Sequence, residues 1–154
     1  MKSHHVMYSF IITIFFATQS FALCVTTDRA NLRKGPGPNF KITWTVGKFM
    51  PLKKISRQGS WFKVQDVDNE VHWIQVSAVS EAMSCVVVKA RTAVLRQAAN
   101  VSSTPAEYTV VDRYTPFKKL DREGEYIQVA NEFESFWIKD SAVWYPVNKM
   151  TLTF

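Results

Sequence analysis

The residues of this chain that could do chemistry are few. Two cysteines, Cys24 and Cys85, stand at comparable places in its two halves, and one histidine, His72, lies well inside it in Val71-His72-Trp73-Ile74. Three carboxylates, Asp66, Asp68 and Glu70, precede that histidine in a short polar turn. A nucleophilic thiol needs a base beside it, and His72 alone is expected to be an exposed strand residue. An acidic turn without a matching partner reads as a solvated hairpin. The chain shows no Cys-His or Ser-His-Asp set and no cluster with metal-ligand spacing, so no catalytic residue, metal or cofactor is expected.

The other two histidines, His4 and His5, belong to a different kind of segment. Lys2 is followed by a mostly apolar run over residues 6–17, and then by Gln19 and Ser20-Phe21-Ala22. A basic start, a short apolar stretch and small residues before a cut form the layout of a secretory signal peptide. The run is shorter than the roughly 20 residues of a spanning helix. Cleavage is expected between Ala22 and Leu23, with no stable membrane insertion afterwards. The remaining 132 residues carry a formal charge of +5.

An exported chain with two cysteines favours a disulfide. A lipid on Cys24 is the alternative, against which stands Leu23, where lipoprotein signals carry a small residue. Cys24 opens the first half and Cys85 follows the end of its pattern. In a small barrel the two ends of a unit lie close together, so a Cys24–Cys85 bridge is expected.

The charge is uneven. Residues 23–83 hold nine basic and five acidic groups, and residues 84–154 hold nine and eight. Outside the cytoplasm, a basic half points to an anionic envelope polymer or lipid rather than nucleic acid. Aromatic residues make up 14% of the chain, which argues for a packed domain rather than disorder.

Sliding the chain along itself by about 65 residues aligns the halves. Phe49-Met50-Pro51-Leu52-Lys53-Lys54-Ile55 meets Tyr114-Thr115-Pro116-Phe117-Lys118-Lys119-Leu120. Gly59-Ser60-Trp61-Phe62-Lys63-Val64 meets Gly124-Glu125-Tyr126-Ile127-Gln128-Val129, and Trp73-Ile74 meets Trp137-Ile138. Each half reads as β. Ile42, Trp44 and Val46 alternate with polar neighbours, as do Phe62 and Val64, and Gly, Asn, Asp and Ser bound the runs. About five short strands per half predict two small barrels, too small to be wholly independent. Alternation places Trp61 on the face opposite Phe62, beside a turn and open to solvent. Phe62 and Trp73 are expected in the core, and Trp44 is expected to be buried with Val46.

Asn31-Leu32-Arg33-Lys34-Gly35-Pro36-Gly37-Pro38-Asn39-Phe40, then Gly59-Ser60-Trp61-Phe62-Lys63-Val64 and Trp73-Ile74, resemble the bacterial SH3-like domain family. The resemblance covers residues 24–80 well and 85–144 weakly, and His72 replaces the family's usual glycine before Trp73. It implies an all-β architecture: a signal peptide (1–22), a first SH3-like barrel (23–83) and a degenerate second one (84–154). It also implies a binding loop that starts at the Gly-Pro run, with Arg33, Phe40, Trp44 and Trp61 as candidate ligand contacts. The second half replaces that run with Gln97-Ala98-Ala99-Asn100, which fits a packing partner. The implied function is a non-catalytic, periplasmic or secreted binding module for peptidoglycan peptide or an envelope protein segment. The alternative is an adaptor that joins an envelope protein complex.

Overall fold

The computed structural model describes residues 22–147; the expected signal peptide lies outside the described residues apart from Ala22. Two antiparallel sheets of seven strands account for nearly all of it. The first comprises β1 (Ala22–Val25), β2 (Arg29–Arg33), β3 (Ile42–Gly47), β4 (Pro51–Gln58), β5 (Trp61–Gln65), β6 (Val71–Gln75) and β7 (Val79–Ser80). The second comprises β8 (Cys85–Val88), β9 (Thr92–Arg96), β10 (Pro105–Asp112), β11 (Pro116–Glu123), β12 (Tyr126–Ala130), β13 (Ser135–Lys139) and β14 (Val143–Trp144). A three-residue 3-10 turn precedes the last strand of each sheet, Val76–Ala78 and Asp140–Ala142. No helix among the described residues is long and apolar enough to cross a membrane.

Both sheets have the same order. The first runs β3-β2-β6-β5-β4-β1-β7 and the second β10-β9-β13-β12-β11-β8-β14. The expectation of closed barrels needs correction, because the outer strands β3 and β7 are not hydrogen-bonded to each other, nor are β10 and β14. Each sheet is instead an open one that curls over a single core. The tight turn after β3 leads straight into β4, four places away in the sheet, so the sheet must bend round to bring them together. Closure would need a further ladder beside β7, which at two residues is too short to supply one. Such short strands also escape a reading by periodicity, which is why five per half were expected and seven are found.

The turn before β4 repeats in the second sheet. Phe49 has a φ of 69° and Tyr114 a φ of 70°, both in the left-handed region. Each donates its backbone N–H to a first strand, Phe49 to Val25 O at 2.8 Å and Tyr114 to Val88 O at 2.9 Å. A bulky side chain in this conformation costs on the order of 1–3 kcal/mol, which the surrounding bonds must offset.

β8 joins the two halves. All four of its residues are buried, in a run that shows no polar alternation. Val87 packs in the first core with Leu23, Leu32 and Leu52, while Val86 and Val88 pack in the second with Ile127 and Ile138. A strand covered on both faces has no reason to alternate. Beside it Cys24 is disulfide-bonded to Cys85, with the Cα atoms 5.9 Å apart. The bridge links β1 of one sheet to β8 of the other, so it ties the sheets together rather than closing the first.

Candidate functional site

The first sheet carries an irregularity at its edge. Leu32 pairs with Trp44 and Arg33 with Ile42, which leaves Thr43 as the extra residue of a β-bulge. A bulge bends its strand and re-aims the side chains around it. Ile42 is therefore exposed, against the expectation that it shares a buried face with Val46, and Trp44 is half-buried against the core. Thr43 Oγ1 lies 2.8 Å from Nδ1 of His72, although β2 separates their strands.

His72 is not the exposed strand residue expected. It is only 3% exposed, and Trp73, expected in the core, is half-buried on the other face. In the second sheet Phe136 occupies the place corresponding to His72 and is buried with Ile138. An imidazole in such a position needs partners for both nitrogens. Nε2 lies 3.0 Å from Oδ2 of Asp66, which is itself 3% exposed. Oδ1 of Asp66 accepts the backbone N–H groups of Asp68 and Glu70, both at 2.9 Å. With the carboxylate as acceptor, a neutral ring carries its proton on Nε2 and accepts the Thr43 hydroxyl at Nδ1.

Asp66, Glu70 and His72 bring one donor atom each within 4.8 Å of the others. A metal ion would have to displace a hydrogen bond at His72, whose two ring nitrogens are both engaged. The trio is better explained as the frame of the turn at residues 66–70, where Asn69 takes a φ of 66°.

This frame forms one wall of a cleft of about 230 Å³ between the two units. Asp68, Glu70 and Trp44 line it from the first unit and Tyr114 lines it from the second. The Trp44 and Tyr114 rings meet edge to face, with centroids 5.3 Å apart and planes at 74°. The Tyr114 hydroxyl donates to Oδ2 of Asp68 at 2.7 Å, and Nη2 of Arg113 donates to Oδ1 at 2.6 Å. Lys48 and Glu132 form a second ion pair across the seam. The Tyr114 hydrogen bond, followed by the Arg113 guanidinium, holds the Asp68 carboxyl below its ordinary range, and partial burial opposes them. A depressed folded-state pKa adds stability above the unfolded value near 3.8, and this is lost as pH falls through the folded one. Acidification below about pH 4 should therefore loosen the seam, read as a change in Trp44 emission that Asp68→Asn abolishes.

Of the four expected ligand contacts, Trp44 lines the cleft and the other three do not. Arg33 donates from Nη1 to Phe40 O at 2.8 Å, clasping the loop of residues 34–40. Arg96 makes the same clasp to Val101 O at 2.9 Å, so the clasp does not depend on the Gly-Pro run. The Phe40 ring lies over Gly35, where an added Cβ would sit 2.5 Å from it, which explains the glycine. Trp61, expected on an open face, is 9% exposed. The 3-10 turn after β6 returns to this end of β5, with Val76 N–H bonded to Ser60 O at 2.9 Å. Tyr126, at the corresponding place in the second sheet, is buried too.

Sequence reasoning missed His72, Asp66, Thr43 and Tyr114. The departure from glycine at position 72 was the available signal for the first. The match between Phe49 and Tyr114 gave no hint that one of these rings reaches across to the other unit.

Comparison with known proteins places the first sheet. Residues 26–81 match the family model of the bacterial SH3 domain. This segment is a bacterial SH3 domain. No curated protein matches the chain. Among solved structures, NlpC2 from Trichomonas vaginalis is similar at 12% identity and a TM-score of 0.38, over 85% of this chain and 50% of that one. NlpC1 from the same organism is similar at 14% identity and a TM-score of 0.37, over 91% and 51%. The chain spans about half the length of these two proteins.

The buried pair in the SH3 domain can be tested against the second unit, which has Phe136 for His72 and Asn131 for Asp66. His72→Phe alone should destabilise the protein by about 1–3 kcal/mol, because it leaves Asp66 Oδ2 buried and unpaired. Adding Asp66→Asn should recover part of that loss. Urea denaturation of the two single variants and the double one measures the coupling, and strictly additive losses would contradict it.

Proposed function

We propose that the chain is a non-catalytic binding module of the cell envelope, periplasmic or secreted, which recognises a peptidoglycan peptide or a protein segment. The observation that carries this is the concave seam between the SH3 domain and the second unit. There a bulged edge strand, a half-buried tryptophan and a tyrosine from the other unit converge. The second unit then acts as part of the site rather than only as a packing partner. A buried disulfide fits an oxidising compartment. The Thr43–His72–Asp66 chain serves as a brace for the turn, since the ring fills a core position and all its nitrogens are engaged.

The adaptor reading draws on a different place. Phe133 is 91% exposed on a turn that Asn131 holds by accepting the N–H groups of Phe133 and Glu134. An adaptor would present this ring to a protein partner. Co-sedimentation with purified peptidoglycan sacculi separates the readings. The intact protein is expected in the pellet, with Trp44→Ala shifting it toward the supernatant. Protein that stays wholly in the supernatant would overturn wall binding and favour the adaptor.

A further inference from the structure

The seam cleft has a charge opposite to that of the unit that carries most of it. Residues 23–83 have nine basic side chains and five acidic ones, yet three of the five, Asp66, Asp68 and Glu70, line this cleft. They are not equivalent. Asp66 is spent on His72 and on the turn, and Asp68 is spent on Arg113 and Tyr114. Glu70 meets Asp66 through its backbone alone, donating its N–H to Oδ1 and accepting the Asp66 N–H at its carbonyl, while its carboxylate stays exposed and without a partner among the described residues.

The aromatic wall has the same preference. The face of an indole or phenol ring is negative and attracts a cation. Arg113 already lies 5.0 Å from the Tyr114 centroid, so that ring has its cation, while among the described residues no cation is placed over Trp44. An anionic ligand would meet three carboxylates here, and an apolar one would leave the Glu70 charge uncompensated. The cleft falls short of the roughly 300–1,000 Å³ of a drug-sized pocket, a scale that suits one side chain rather than a chain segment.

We propose that the seam cleft binds a primary ammonium on an alkyl chain, as a lysine or another diamino acid presents it. Glu70 is the counter-ion, the Thr43 hydroxyl oxygen is a further acceptor, and Trp44 is the wall along which the methylenes lie. This rests on the reading that the cleft is the recognition site, and it adds the chemical class of what enters. The ammonium can come from a wall peptide or from a protein lysine, and the two share this chemistry.

The test uses the intact protein and two soluble probes, Nα-acetyl-lysine methylamide and its Nε-acetylated form, followed by NMR of the tryptophan indole N–H signals. A saturable shift of the Trp44 signal is expected with the amine only, and Glu70→Gln should weaken it by about tenfold. Glu70 is exposed, so this variant keeps the fold, and a thermal melt verifies that. No saturable shift, an equal response to the acetylated probe, or unchanged affinity in Glu70→Gln would overturn the proposal. Sacculi with and without acetylated amines identify the source. Binding lost on acetylation assigns the ammonium to the wall peptide. Binding unaffected by acetylation refutes amine recognition while sparing wall binding. Probe binding without sacculus binding supports the cleft chemistry, refutes the wall-peptide reading and leaves a protein lysine as the source.

Discussion

Replacing both Cys24 and Cys85 with alanine should lower the stability of the folded protein by up to about 4 kcal/mol. The bridge spans a sequence separation of 61, and in the chain-entropy model a loop of that size restricts the unfolded chain by this amount. Set against the 5–15 kcal/mol typical of a domain, this is a large share. Its position adds a second consequence. The bonded strands β1 and β8 belong to different sheets, and β8 contributes Val87 to one core and Val86 and Val88 to the other. Loss of the bond should therefore loosen the seam, and the emission of Trp44 against Tyr114 should change at denaturant concentrations where the sheets persist by circular dichroism. Both cysteines are buried, so reductant should act slowly on the native protein and quickly on the denatured one. Equal denaturation midpoints for the alanine variant and the oxidised protein would contradict the prediction. Two free thiols, or a lipid mass on Cys24, in the protein isolated from its native cells would do so as well.

Trp61→Ala should cost about 3–5 kcal/mol, comparable to Phe62→Ala. The two rings leave β5 on opposite faces, which by alternation alone would put one inside and one outside. The structure buries both, at 9% and 6% exposure, and at the Trp61 end the 3-10 turn after β6 is bonded back to Ser60, just before β5. Thermal melts of the two variants decide this. A Trp61→Ala protein that melts close to the parent but loses sacculus binding would restore the groove role that the family resemblance implies. Comparable melting losses would place Trp61 among the residues that hold the domain together.

The all-β character of both halves was legible in the chain because period-two alternation and turn residues are local properties, set by backbone geometry over five or six residues. The SH3-like pattern at residues 31–40, 59–64 and 73–74 was legible for a similar reason, as turns need particular residues at particular places. The cysteine pairing followed from their number and from their positions at the start of corresponding segments. Tertiary structure alone decided the rest. Alternation says which residues share a face but not which face is covered, so Trp61 and His72 were both placed outside and both lie inside. A single extra residue at Thr43 shifts the edge strand and turns Ile42 outward, and no pattern in Ile42-Thr43-Trp44 announces it. The Thr43–His72 contact crosses an intervening strand, so it depends on the sheet order. The meeting of Trp44 with Tyr114, 70 positions apart in sequence, depends on how two curled sheets pack with β8 feeding both cores.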